Sequence, residues 1–352
     1  MNRFDYIRAT TIADAVAAGS QDGAAYLGAG TNLLDLMKGG VTIPSTLVDI
    51  TKLPGLDRIE TLDNNDVRIG ALVKNADLAF KSEFASNFPV VAEALLSGAS
   101  PQLRNAATVG GNLLQRTRCR YFYDTASACN KRAPGSGCDA RGGDNRLHAV
   151  LGWSEACIAT HPSDFCVALA ALDAIIEVES REGRRDIPIV DLHRLPGDHP
   201  DIETMLTPGE LIVAVRVPAA ARALTRHQRY LKVRERTSYA FAVVSVAAAL
   251  DIDGRTIRAA RLALGGVALK PWRADAAETM LIGAEPTRAS FEAAAGAALA
   301  DATPSGDNGY KIELARRLIV RGLARAAAGT PDRLPALPAS PFATLAGEIH
   351  HG

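Results

Sequence analysis

The chain has 352 residues, enough to bury a sizeable core in two or three domains. Its 39 Lys and Arg balance 39 Asp and Glu, so no long-range field favours nucleic acid or an anionic membrane surface. No apolar run approaches the roughly 18 residues that span a bilayer, and the start, MNRFDYIRATTIADAVAAG, lacks the basic and apolar segments of a signal peptide. A soluble protein is expected, either cytoplasmic or carried to the periplasm by co-export with a signal-bearing partner.

Residues 1–55 read as a small α/β unit. Thr10 or Thr11 can cap a helix over IADAVAAG, which Gly19 ends. Ala25-Tyr26-Leu27 is a short apolar strand leading into a glycine turn, Gly28-Ala29-Gly30-Thr31-Asn32. A helix-like LLDLMKGG follows, and residues 47–50 form a second buried strand. Gly28, Gly30 and Asp49 suggest a nicotinamide-binding Rossmann fingerprint, but Leu33 stands where that motif needs a third small residue for close helix–strand packing. A phosphate site survives this objection, because the turn still offers bare N–H groups to an anion. The bland alternative is an ordinary turn.

Residues 56–225 read as a second α/β unit. Val67-Arg68-Ile69-Gly70 is a strand, Asn75 can cap a helix over ADLAFKSEF, and VVAEALLSGA is a second helix after Pro89. Another glycine turn, Thr108-Val109-Gly110-Gly111-Asn112, precedes an irregular insertion at about 115–160. Residues 164–172 then look helical, and 174–178 and 210–218 look like strands. In the third region, 226–330, residues 228–233 and 240–250 suggest strands, or a strand and a helix. Asp253-Gly254 is a hairpin signal before a strand at 257–264. Helices are expected at 274–281, 288–301 and 311–327. Residues 331–352, with four prolines, suggest an extended tail in which His350-His351 is a chain end rather than a metal site.

All five cysteines, Cys119, Cys129, Cys138, Cys157 and Cys166, fall in or just after the insertion. That clustering favours metal or redox chemistry over a secreted disulfide framework. Nine, eight and eighteen residues separate the first four, and none forms the close C-x-x-C pair usual in structural zinc sites. Widely spaced thiolates on loops can converge on the corners of a larger iron–sulfur cluster. Arg116, Arg118, Arg120, Lys131 and Arg132 would steady its negative charge; alternatively they are a solvated loop or a nucleic-acid grip. Cys166 sits in the apolar run FCVALAAL and reads as a buried small hydrophobe, outside the cluster.

Several segments resemble the FAD-binding subunits of molybdenum hydroxylases, the xanthine dehydrogenase and carbon monoxide dehydrogenase group. They are YLGAGTNLLDLMK, NAATVGGNLL, THPSDFCVALAAL, ELIVAVRVP and LKVRERTSYAFAVVSVAAAL. The insertion, with TRCRYF, ACNKRAPGSGC and EACIATHPSDF, looks like the flavin subunit of bacterial periplasmic-type aldehyde oxidoreductases. The flavin subunit of 4-hydroxybenzoyl-coenzyme A reductase also carries a 4Fe-4S cluster in a corresponding insertion, with different cysteine spacing.

The resemblance implies an α+β chain: a two-subdomain FAD-binding fold of the PCMH (vanillyl-alcohol-oxidase-like) type, then a C-terminal α/β domain of the CO dehydrogenase flavoprotein type. It implies an FAD held by Tyr26, Leu27, Gly28, Ala29, Gly30, Thr31, Asn32, Leu33 and Leu34, and by Thr108, Val109, Gly110, Gly111 and Asn112. Asp164 would accept from the FAD, Ile212 pack on it, and Lys232 lie near the flavin ring; from the residues alone Asp164 or Ser163 is a helix cap and Lys232 a surface charge. A 4Fe-4S cluster would be held by Cys119, Cys129, Cys138 and Cys157. The partners implied are a large subunit with the molybdenum cofactor and a small subunit with 2Fe-2S clusters, substrate chemistry being theirs and no residue here catalytic. A flavin subunit of a 4-hydroxybenzoyl-coenzyme A reductase-like or xanthine dehydrogenase-like enzyme, a zinc-stabilised binding module and a self-contained flavin oxidase are the competing readings.

Overall fold

The computed structural model describes residues 1–332; the expected tail beyond them, with His350-His351, lies outside the described residues. Three sheets organise the chain. The first holds β1 (Asp5–Arg8), β2 (Ala24–Leu27) and β3 (Thr46–Asp49), all parallel in the order β1-β3-β2. Parallel neighbours need crossovers, and the helices Ile12–Gly19 and Leu33–Lys38 supply them. Of the two threonines, Thr11 is the cap: its Oγ1 accepts the Asp14 N–H while the Asp14 carboxylate accepts the Thr11 N–H.

The second sheet is antiparallel, in the order β4-β5-β8-β6-β7. Its strands are β4 (Ile59–Thr61), β5 (Val67–Gly70), β6 (Ile175–Ser180), β7 (Gly183–Pro188) and β8 (Leu211–Val217). Leu211 and Val213 of β8 face the first unit, whereas Val215 and Val217 face the central core. A bulge reverses the alternation, because Glu177 pairs with Ala214 and Val178 with Ile212, leaving Val213 unpaired between them. Two helices buried along their whole length, Pro89–Ser97 and Asp164–Ala171, fill the core beside this sheet.

The third sheet contains β9 (Gln228–Val233), β10 (Val244–Asp253), β11 (Thr256–Gly265) and β12 (Trp272–Arg273), antiparallel in the order β12-β11-β10-β9. Val246, Ala248 and Leu250 of β10 pack under the helices Asp275–Leu281, Arg288–Ala298 and Tyr310–Ala327, while Ala247 and Ala249 face the central core. With both faces covered, β10 carries no apolar–polar alternation.

Two local expectations are corrected. The single helix expected after Asn75 breaks at Lys81 into Asn75–Phe80 and Ser82–Asn87, and Asn75 is its first helical residue rather than its cap. The second glycine turn is one helical turn, Val109–Leu113, capped by Thr108. No helix among the described residues is long and apolar enough to cross a membrane.

Candidate functional site

The first glycine turn leaves β2 and enters the helix Leu33–Lys38. Gly30 has φ +76°, and a Cβ there would press on the Leu34 side chain. Among the described residues, the N–H groups of Ala29, Gly30, Thr31 and Asn32 donate to no protein acceptor. Four half-buried unpaired donors in one bend form an anion cradle.

The second turn lies against the first: a Cβ on Gly28 would stand 3.3 Å from Thr108 Oγ1, and Asn32 Nδ2 donates to the Gly111 carbonyl at 3.4 Å. Its own N–H groups, however, are already used. Val109 N–H donates to Val73, Gly110 to Ala71, Gly111 to Thr108 Oγ1 and Asn112 to the Thr108 carbonyl. Among the described residues, the first turn offers the bare donors; the second offers Gly111, without a side chain, beside Thr108. Asn112 Oδ1 accepts from Ser163 Oγ at 2.8 Å, tying that floor to the cap of the helix Asp164–Ala171.

Ser163, not Asp164, is that cap. The Asp164 carboxylate accepts from Tyr230 Oη at 2.6 Å and from Lys232 Nζ at 2.7 Å. Lys232 is no surface charge, since its side chain is 3 % exposed and also reaches the Ser97 carbonyl. Ile212 is buried in the central core, one residue before Val213, whose carbonyl accepts Ala71 N–H. Through Ala71 the strand β8 and the second turn are thus joined. Nothing local in the sequence marks Tyr230, Ser97 or the partnership of Lys232 with Asp164, because the partners lie 66 to 135 residues apart.

Cys119, Cys129, Cys138 and Cys157 line one small cavity, with Thr117, Phe122, Lys131 and Ala140 among its other walls. The insertion is mostly loop. Cys129 and Cys138 are paired by an isolated antiparallel bridge, and Cys157 closes a similar bridge with Ser154. The thiols are free. Burial, and then the neighbouring cysteines, push Cys119 up to about 12 and Cys157 to about 11, partly offset by backbone N–H groups such as those of Phe122 and Ala159. Cys119 and Cys157 are therefore thiols in the metal-free form, and a bound cation would have to take their protons' place.

The spread of the sulfurs is informative. Among the described residues, the one group of three or more His, Cys, Asp or Glu ligand atoms within 4.8 Å of one another is His161, Cys166 and His193. No three of the four cavity sulfurs are that close, whereas one tetrahedral zinc would hold them about 3.8 Å apart.

The basic residues mainly brace the loop. Arg132 donates to the carbonyls of Tyr121, Phe122 and Ser127, Arg116 pairs with Glu203 at 2.6 Å, and Arg120 is exposed beside Asp144. Lys131 is buried, donates to the Pro200 carbonyl at 2.7 Å, and is the cation that bears on Cys157. Arg118 donates to Asn32 Oδ1, so the residue beside Cys119 holds the first glycine turn. A contact the sequence does not reveal is His148 Nε2 at 3.2 Å from Cys119 Sγ.

Comparison with known proteins places this geometry. Residues 2–220 match the family described as FAD binding domain in molybdopterin dehydrogenase, and residues 229–326 match the CO dehydrogenase flavoprotein C-terminal domain. The chain is 50% identical over 330 residues to the aldehyde oxidoreductase FAD-binding subunit PaoB of Escherichia coli, covering 93% of this chain and 99% of that one. It is 28% identical over 328 residues to the carbon monoxide dehydrogenase medium chain of Hydrogenophaga pseudoflava, covering 91% and 96%. In structure it is similar to a chain of reconstituted CO dehydrogenase from Oligotropha carboxidovorans, with a TM-score of 0.74 at 25% identity over 94% and 99% of the two. The chain belongs to the FAD-binding subunits of the molybdenum hydroxylase family, as an oxidoreductase subunit.

Proposed function

We propose that this chain is the FAD- and 4Fe-4S-containing electron-transfer subunit of a heterotrimeric, molybdenum-dependent aldehyde oxidoreductase. The aldehyde assignment is supported by the 50% identity to an aldehyde oxidoreductase subunit over nearly the whole of both chains. The cluster assignment is supported by one observation: four loop cysteines share a cavity, and no three of their sulfurs lie within 4.8 Å of one another. FAD and the cluster would supply two-electron and one-electron chemistry, taking electrons from the partner subunits to an external acceptor.

The chain's own residues bind, orient and brace. The free N–H groups of Ala29 to Asn32 fit a pyrophosphate, and Gly28 and Gly111 leave room for it beside Thr108. Tyr26 to Leu34 and Thr108 to Asn112 would thus line the FAD site, with Ile212 behind it and the Asp164–Lys232 pair at its far end. Lys232 would place a positive charge there, held in position by Asp164 and Ser97. Cys119, Cys129, Cys138 and Cys157 would ligate the cluster, and Arg118 would link the two sites through Asn32. The partners would be a molybdenum-cofactor large subunit and a 2Fe-2S small subunit, and the complex would work in the periplasm after co-export or in the cytoplasm.

The test is anaerobic mixing with an aldehyde. The assembled complex should bleach its flavin absorbance, whereas the isolated chain should not. Bleaching by the isolated chain would instead make it a self-contained oxidase.

A further inference from the structure

Behind the second glycine turn lies a third set of ligating side chains that neither cofactor site uses. One ligand atom each from His161, Cys166 and His193 lies within 4.8 Å of the other two. The two imidazole rings are tilted against each other with centroids 4.2 Å apart. His193 Nε2 donates to the Leu113 carbonyl at 2.8 Å, which fixes the tautomer and leaves Nδ1 with a lone pair and no partner among the described residues. That is the arrangement in which metal-binding histidines are held. Among the described residues His161 Nε2 has no hydrogen-bond partner either, and its Nδ1 accepts from the Ser163 N–H at 3.4 Å. His161 is 9 % exposed, His193 4 % and Cys166 not at all.

The site is reachable. His161 and His193 line a cleft of about 310 Å³ whose walls include Arg116, Asp201 and Glu203. An ion can enter there, and solvent can complete its coordination. Two imidazoles and one thiolate with an open fourth position suit a borderline-soft divalent ion.

We propose that His161, Cys166 and His193 form a binding site for a zinc-class divalent ion, with water from the cleft as the fourth ligand. Binding forms one metal–sulfur and two metal–nitrogen bonds, and the Cys166 proton leaves to solvent. His161 lies four residues after Cys157 and three before Asp164, so the bound ion would pin the segment that joins the cysteine cavity to the Asp164–Lys232 pair.

Cobalt(II) is the probe, because thiolate ligation gives it an intense near-ultraviolet band that nitrogen and oxygen ligands do not. The full chain in its purified complex, freed of loosely held metal with a chelator, should bind one Co²⁺ per chain with that band, and Zn²⁺ should displace it. Cys166→Ala, which keeps a small apolar side chain on the helix, should abolish the band while iron and flavin contents stay unchanged. His193→Asn should do the same; if its lost bond to Leu113 prevents folding, Cys166→Ala carries the test. Absence of cobalt binding in the wild type overturns the proposal. So does a band that survives Cys166→Ala, or one that disappears only in Cys119→Ser, which would assign the ion to the cysteine cavity.

Discussion

Asp164 carries its charge into the core because Lys232 and Tyr230 meet it there, at 2.7 and 2.6 Å. Replacing Lys232 with Met leaves a buried carboxylate with one neutral donor, an imbalance that costs about 3–5 kcal/mol. The expected result is a lower melting temperature with weakened FAD retention, and recovery of most of the stability in the Asp164→Asn, Lys232→Met double variant. An unchanged melting curve for Lys232→Met would refute the pairing. Glu93 offers a pH test. Its carboxylate accepts from Arg229 at 3.1 Å and from the Tyr230 N–H at 2.6 Å, yet burial dominates and raises it to about 7. The folded state therefore holds this proton more tightly than the unfolded chain, whose carboxyl has an ordinary value near 4.5. Its contribution is full below about pH 4.5 and is lost as pH rises through about 7. Relative to Glu93→Gln, the wild type should melt several degrees lower at pH 8 than at pH 5; a gap that narrows with rising pH contradicts this. At this scale the sequence was least legible. Lys232 on an apolar strand, or Cys166 on an apolar helix, declares nothing about partners brought up from distant segments, and His148 beside Cys119 had no local signal at all.

Regular elements were read well where one face alone is buried or a cap is explicit. The helix Ile12–Gly19 had its threonine cap, β5 alternates Val67 and Ile69 with Arg68, and the 253–254 turn had its Asp-Gly pair with Gly254 at φ +58°. Residues 240–250 stayed ambiguous because β10 is buried on both faces, and such a run has neither period. The glycine turns were legible as places but not as donors: only the fold reveals that Gly110 and Gly111 spend their N–H groups on Ala71 and Thr108. That difference makes the first turn the sensitive one. Gly28→Val would push methyl groups into the gap facing Thr108, at an overpacking cost of about 1–3 kcal/mol. FAD binding should weaken by roughly 10- to 100-fold, with the circular dichroism unchanged; full flavin content in this variant would disprove the cradle. In the insertion, Cys129→Ser should strip the iron and leave the flavin, because its sulfur lines the cysteine cavity and none of the glycine turns. Retention of all iron would exclude Cys129 as a ligand.

Across the whole molecule, the two candidate cofactor sites meet through Arg118, which joins the cysteine loops to Asn32 of the first glycine turn. The C-terminal region is tied to the rest: Lys232 of β9 reaches Asp164, and Lys311 of the helix Tyr310–Ala327 donates to the carbonyls of Leu147, His148 and Gly266. The C-terminal domain thus holds the insertion in place. The most direct measurement is cofactor stoichiometry on the chain purified under anaerobic conditions. One FAD with about four iron and about four acid-labile sulfide per chain is the predicted result. Flavin without iron or sulfide would contradict the cluster, and a colourless chain carrying zinc alone would contradict both sites.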